Sequence, residues 1–342
     1  MKYFLFILMM VLMLLIRPER SARYTVTFWG AFDSMITITA NAESKQQFDA
    51  LTQTAIDRFT ELSRDYNRFS ESDTIVNLAT LNRMAGQGDV HVSKAIFDLL
   101  SFAQEGAAKT DSLVAPTFGA VTELWRKQIV HAQNGSGTPP ALSVLQDAAT
   151  STDMSLLRLN EKQQSAALLS SDALLDVGAV AKGYATELVG RELAASGLTR
   201  LAISSGGNVR VFSPPVGKAC WRIGIQNPDA AILGDEGALD TLTINNMAVA
   251  TSGDYQRFFW YRERRYHHLI DPKTLFPARH YRSVTVACNN AGEADLFSTA
   301  LFLADWRHSF AIAQREKIAA LWVMADGSIK TNARMDALIK KK

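Results

Sequence analysis

Cysteine is scarce: Cys220 and Cys288 are the two in 342 residues, and they lie far apart. No metal-ligand spacing can be built from them, which excludes a Cys/His zinc site. A disulfide framework is excluded too. Two buried thiols are the expectation, with a single bridge in an oxidising compartment as the alternative. An excess of either charge is also missing, with 36 basic and 34 acidic side chains and no long basic stripe. A nucleic-acid partner is therefore not expected. Neither G-x-G-x-x-G nor G-x-x-x-x-G-K-[ST] occurs, which removes the dinucleotide fingerprint and the P-loop. His91, His131, His280 and His308 are scattered and, with His267 and His268, form no H-E-x-x-H pattern. Internal repeats and convincing linkers are absent as well.

The longest uncharged apolar run is Tyr3–Ile16, fourteen residues long. It is short for a membrane span and suits the apolar stretch of an export signal. No A-x-A cleavage site is evident, and Arg17, Glu19, Arg20 and Arg23 follow at once. Residues 1–20 are thus expected to be a signal peptide or an uncleaved N-terminal anchor to the inner membrane, with 21–342 as one exported, periplasmic domain. No cysteine lies near the segment, so a lipoprotein anchor is excluded.

Residues Tyr24–Ala40 alternate and are β-branched, which predicts strands. Lys45–Tyr66 places Phe48, Leu51, Ala55, Phe59 and Leu62 on one helical face. Ser93–Lys109 repeats the pattern with Ile96, Leu99, Leu100 and Ala103. Asn134–Pro140 reads as a loop by composition. Leu201–Ile203 and Val209–Phe212 read as strands around a Gly206-Gly207 turn. Trp221–Ile225 and Arg282–Ala287 are further strands, and Glu293–Asp305 is a helix. Helices and strands mix without strict βαβ alternation, so the fold class expected is α+β.

Chemistry concentrates in Asp176–Tyr184, DVGAVAKGY. An apolar, strand-like segment, Ala173–Leu175, ends in a carboxylate and a glycine. Lys182 and Gly183 then open an amphipathic helix, whose first N–H groups attract phosphate. A carboxylate beside such a site calls for a divalent cation. Asp295 and Thr299, spaced i, i+4 with Ser298 beside them, offer hard oxygen ligands on one helix face. An acid favouring the helix dipole explains Asp295 equally well. Adjacent His267 and His268 point to opposite faces of a strand, so one of them can serve a site as base. One surface and one core histidine is the plain alternative. Ser204–Asn208 and Thr251–Tyr255 suit turns or phosphate nests.

The order of these stretches is more specific than any one of them. FSESDTIVNL, PTFGAVTELW, LLDVGAVAKGYA, ISSGGNVRVF, IGIQNPD, AVATSGDYQRFF, YHHLIDPKT, SVTVACNNAGEAD and STALFL follow one another from Phe69 to Leu303. In this the chain resembles the ApbE family, the FAD:protein FMN transferases, over nearly all of residues 21–342. The resemblance implies a mixed fold of antiparallel-rich sheets with flanking helices. It implies Mg²⁺-dependent transfer of FMN from FAD to a Thr or Ser hydroxyl of an exported target protein, with release of AMP. Within the same scaffold, FAD pyrophosphatase activity and flavin binding without turnover are the alternatives.

The resemblance also assigns residues. Asp295, Thr299 and the Ala179 carbonyl match the metal ligands, and His268 matches the base of the H-x-[IL]-D-P block. Asp176, Lys182 and Ile270 match cofactor contacts. Trp29, Phe69, Leu113, Val114 and Ala115 fall at the cofactor rim. The chain departs from the family pattern at several places. Trp29-Gly30-Ala31 replaces M-G-T, and Phe69 replaces a tyrosine. Ala115 replaces an acid, and Leu275 stands where glycine is usual.

Overall fold

The computed structural model describes residues 21–230 and 237–339. The expected signal or anchor, residues 1–20, lies outside the described residues. Within them, no helix is long and apolar enough to cross a membrane.

The chain opens with a hairpin of β1 (Ala22–Ala31) and β2 (Ser34–Ala42), followed by α1 (Lys45–Asp65) and α2 (Leu78–Arg83). Next come β3 (Val90–His91), α3 (Lys94–Lys109), α4 (Gly119–Gln133), α5 (Leu142–Ala149), β4 (Leu157–Asn160) and β5 (Ser165–Leu168). Helix α6 (Ala181–Ala195) leads to β6 (Leu201–Ser205), β7 (Asn208–Val211), β8 (Trp221–Gln226), β9 (Ala238–Ile244) and β10 (Ala248–Gly253). Then follow β11 (Phe258–Tyr261), β12 (Arg264–His267), β13 (Tyr281–Cys288), α7 (Ala291–Leu303) and α8 (Trp306–Arg315). The chain closes with β14 (Ala319–Met324), β15 (Ile329–Thr331) and α9 (Ala333–Asp336).

Eight strands form the main sheet in the order β1-β2-β6-β7-β10-β13-β14-β15. Every neighbouring pair is antiparallel. Spatial order follows chain order, so helices and small hairpins are excursions from a meander. This is the α+β, antiparallel-rich architecture expected from the sequence. Side-chain alternation lets both faces bury apolar surface. Ala248, Ala250, Ala320 and Trp322 face the helices, while Val249, Leu321 and Val323 face the β8–β9 hairpin.

The α1 periodicity holds: Phe48, Ala55, Phe59 and Leu62 are buried, and the Ser44 side chain caps the helix by accepting from Gln47 N. Helix α7 differs from its expected one-sided pattern, because every residue but Glu293 is buried. It also ends at Leu303, since Asp305 instead caps α8 by accepting from Arg307 N and His308 N. Ala173–Leu175 is no strand; Leu174 makes one isolated parallel bridge to Phe118. Both cysteines are free, with Cys288 buried and Cys220 partly exposed, so the expectation of two buried thiols holds for one. Burial pushes the Cys288 thiol up to about 12.

A third cluster joins α4 to the β11–β12 hairpin. Trp125 stacks on Tyr266 at 5.7 Å, and Tyr266 on Phe259 at 5.5 Å. This aromatic column fixes the strand end from which His267 and His268 project.

Candidate active site

The site grows from the contact of α6 with α7. Gly183 makes that contact possible: a Cβ there would lie 2.3 Å from Ala291 O and 2.5 Å from Asp295 Cβ. With no Cβ, the Gly183 N–H reaches Asp295 Oδ2 at 2.9 Å. Gly183 is the third residue of α6, so its N–H has no carbonyl within the helix and is satisfied by this carboxylate instead. The first bond of the helix runs from Tyr184 N to Val180 O at 2.9 Å. Among the described residues, no donor reaches the Ala179 carbonyl.

Burial pushes the Asp295 carboxyl up, while Lys182, the Gly183 N–H and the Asn208 side chain pull the other way. Thr299 lies one turn along α7, also buried, and its Oγ1 is 3.2 Å from Ser252 Oγ. Ser298 Oγ is 2.9 Å from the same Ser252 oxygen. Asp295 and Thr299 offer a carboxylate and a hydroxyl one turn apart on α7, and the Ala179 carbonyl precedes the helix whose Gly183 meets Asp295, so the candidate donors are all hard oxygens. A Mg²⁺-like cation fits such a set, because it takes few protein ligands and completes its shell with water and substrate phosphate. No three His, Cys, Asp or Glu side chains among the described residues converge to form an all-protein cage.

The start of α6 differs from the phosphate cradle that its sequence suggests. Helix α6 has no side-chain cap. The N–H groups of Val180, Ala181, Gly183 and Tyr184 are all spent within the protein. Positive charge there comes from the Lys182 ammonium, which donates to Gly206 O at 3.3 Å. Gly206 and Gly207 form the tight turn between β6 and β7, at φ +51 and +97, which favour glycine. Ser205 is fully buried, and its Oγ has no hydrogen-bond partner among the described residues. Asn208, just past the turn, is 3% exposed and directs its side-chain amide at Asp295.

Asp176 does not need a cation to explain it. Thr122 Oγ1 donates to its Oδ2 at 2.7 Å, and Gly178 N donates to Oδ1 at 2.9 Å. Arg68 lies 3.3 Å from the same carboxylate and 3.3 Å from Glu123. Arg126 also pairs with Glu123, and both guanidiniums stack on the Phe69 ring, at 4.5 Å and 5.0 Å. Phe69 is thus an exposed ring held by two cations. Arg68, Thr122, Glu123 and Arg126 escape a sequence reading because ordinary helix and loop positions carry them.

The two histidines divide their roles. His267 is a core residue: its Nε2 lies 2.7 Å from Ala278 O, and Leu269 N donates to Nδ1 at 3.2 Å. That pattern places its proton on Nε2. His268 follows the strand end and keeps partial exposure. Its Nδ1 is 3.3 Å from Arg257 O, which assigns the proton to Nδ1 and leaves Nε2 as an acceptor. Burial, then the neighbouring His267 and Arg257, push His268 down to about 3. The ring is therefore neutral at pH 7.

Ile270 is buried and bridges to Pro277 across the turn that carries Leu275. The turn does demand a left-handed residue: Leu275 holds φ +62. Leu113 packs its side chain into the core and donates its N–H to Thr110 O at 3.0 Å, while Val114 and Ala115 are partly exposed. Ala115 O accepts from Phe118 N, and Pro116 O from Asp176 N, tying this stretch to Asp176. Trp29 is 72% exposed on β1.

An α+β protein with a buried carboxylate–hydroxyl pair, a lysine and a histidine with a free ring nitrogen is the class that this sheet and these groups define. The chain belongs to the ApbE family, whose family model matches residues 32–322. It is similar to an FAD:protein FMN transferase of Klebsiella pneumoniae, 31% identical over 251 residues, 73% of this chain and 75% of that one. A Treponema pallidum FAD:protein FMN transferase is 30% identical, over 75% of this chain and 73% of its own. Among solved structures, the ApbE protein of Thermotoga maritima superposes with a TM-score of 0.80 at 25% identity. That match covers 94% of this chain and all of the other.

Proposed function

We propose that this chain transfers FMN from FAD to a Thr or Ser hydroxyl of an exported partner protein, releasing AMP. Mg²⁺ is held by Asp295, Thr299 and the Ala179 carbonyl. The observation that carries the reading is the buried Asp295–Thr299 pair on α7, with the carboxylate fixed by the Gly183 N–H across the contact with α6.

Bound Mg²⁺ neutralises pyrophosphate charge and so stabilises the transfer of a phosphoryl group. Lys182 adds a second positive charge beside Asp295. The remaining chemistry is positioning and one proton transfer. The acceptor oxygen attacks the FMN-side phosphorus, and its proton passes to Nε2 of His268. The bond between that phosphorus and the bridging oxygen breaks, and AMP leaves with the oxygen. His268 is a weak base first because it is buried, and then because His267, Arg257 and Lys182 lie near it. An anionic substrate offsets both cations and raises the ring toward its working range. Asp176, with Arg68 and Phe69, orients the rim that meets the flavin nucleotide.

Export to the periplasm, with Tyr3–Ile16 as signal or inner-membrane anchor, is part of the same proposal. It is supported by that apolar run beside arginines. The test is to incubate the purified chain with FAD, Mg²⁺ and a candidate acceptor, then weigh the acceptor. A mass gain equal to FMN, abolished by chelator, is the expected result. FMN and AMP without a gain indicate a pyrophosphatase, and FAD binding with neither product indicates a binder.

A further inference from the structure

Strand β10 meets α7 through one hydroxyl that the proposed chemistry leaves unused. Ala248 and Ala250 alternate onto the helix face of the sheet, and Ser252 is next in that alternation. Its Oγ lies 2.9 Å from Ser298 Oγ and 3.2 Å from Thr299 Oγ1, across 46 and 47 positions of sequence. Ser252 is partly exposed, so burial alone does not demand these two partners for it. Thr299 is buried, and among the described residues its Oγ1 has no other hydrogen-bond partner.

Each hydroxyl carries a single proton, and that fixes the direction of the chain. Ser298 Oγ donates to Asp295 O at 3.0 Å, which uses its proton. Ser298 can then only accept from Ser252, which uses the Ser252 proton. Ser252 is left as an acceptor, so the donor across the 3.2 Å contact is Thr299. The Thr299 proton is thus turned toward β10, and the lone pairs of its Oγ1 stay free. A hydroxyl ligates a hard cation through those lone pairs, with its proton pointing away. The chain therefore starts on one α7 residue of the cation site, Thr299, and ends on the backbone of the other, Asp295.

We infer that Ser252 is a positioning residue for the cation: it takes the Thr299 proton and so presents Thr299 Oγ1 as a pure acceptor. This rests on the cation site proposed above. Ser252 acts through Thr299 and touches neither cation nor substrate in this role. Without its oxygen, the Thr299 proton has no acceptor on β10 and competes with the cation for the open side of Oγ1. Partners that orient a ligand in this way typically account for about 10–100-fold in metal affinity. A single bond between neutral groups belongs at the lower end of that range.

The experiment titrates Mg²⁺ into the purified full chain by calorimetry and follows thermal unfolding without metal. Three variants separate the oxygen from the volume it fills. Ser252→Ala should weaken Mg²⁺ binding about tenfold while the metal-free melting temperature holds. Ser252→Cys keeps the volume but offers only a weak acceptor, so it should lose about as much. Ser252→Thr keeps the hydroxyl on a strand that suits β-branched residues, and should bind as wild type does. Wild-type affinity in Ser252→Cys or in Ser252→Ala overturns the inference. Melting temperatures that fall in step with affinity across the three variants assign Ser252 to packing and overturn it too. A wild-type chain that takes up no Mg²⁺ overturns the cation site itself. Wild-type uptake with Ser252→Ala unmoved overturns this inference and leaves that site standing.

Discussion

Gly183 donates its backbone N–H to Asp295 at 2.9 Å, across 112 positions of sequence. One contact thereby orients a carboxylate and satisfies an N–H that the start of α6 leaves without a partner. Glu187, one turn further along α6, reinforces the pairing. It accepts from Ala291 N at 2.8 Å, at the start of α7, and from the buried Arg210 at 2.8 Å.

Gly183→Ala should force α6 and α7 apart. The added Cβ meets backbone at 2.3 Å, which no rotamer change relieves. Overpacking of this kind costs about 1–3 kcal/mol. Gly224→Ala, whose Cβ meets nothing closer than 3.8 Å, is the control. The variant should melt lower than wild type and lose its Mg²⁺-induced thermal shift, while the control keeps both. Wild-type melting in Gly183→Ala would show that the helices tolerate separation.

Asp295→Ala should behave in the opposite way in the absence of metal. A buried carboxylate without a full counter-charge is costly, and its carboxyl is already pushed up by burial. The metal-free variant should therefore melt at or above the wild-type temperature, while Mg²⁺-dependent turnover disappears. Retained Mg²⁺ response, measured by calorimetry, would remove Asp295 from the ligand set.

His268→Ala should lower FMN transfer by about 10²–10⁴-fold with FAD binding intact, the usual contribution of a positioned base. His267→Ala should instead reduce stability, because both of its ring nitrogens are bonded in the core. The comparison is made at saturating FAD, with unfolding followed in parallel. Equal loss of turnover in two equally stable variants would assign the base wrongly.

Acid should destabilise the fold through His267. Burial is the main cause that pushes its folded pKa from 6.5 down to about 4. The unfolded chain then binds the proton more readily, so this contribution is complete above pH 6.5 and lost as pH falls toward 4. The shift corresponds to about 3 kcal/mol. Urea unfolding across that window should show it, and His267→Gln should flatten the slope by about one proton. An unchanged slope would place the acid sensitivity elsewhere.

Leu275→Gly sets strain against burial. A left-handed leucine at φ +62 costs about 1–2 kcal/mol. Its side chain is 8% exposed, and burying it contributes about 1.5–3 kcal/mol. Burial should win, so the glycine that is usual at this position should lower stability here by about 1 kcal/mol. Thermal unfolding decides the sign, and a more stable variant would show strain dominating.

Much of this protein was legible one residue at a time. Apolar positions at helical spacing announced α1 and α3, because burying one face requires that period. Alternation announced β1 and β2, and Asp295 and Thr299 showed as a pair because a helix brings i and i+4 together. The ordered blocks announced the family. Folding alone decided what those groups touch. Asp176 became an ion-paired anchor through Arg68 and Thr122, and Ser252 joined Thr299 from a strand 47 positions away. Which histidine faces the core and which carries a free Nε2 depends on the carbonyls of Ala278 and Arg257. Local periodicity is written in the chain, because it follows from backbone geometry within one element. Hydrogen-bond partners at long range are not, because they depend on how the sheet and helices pack together.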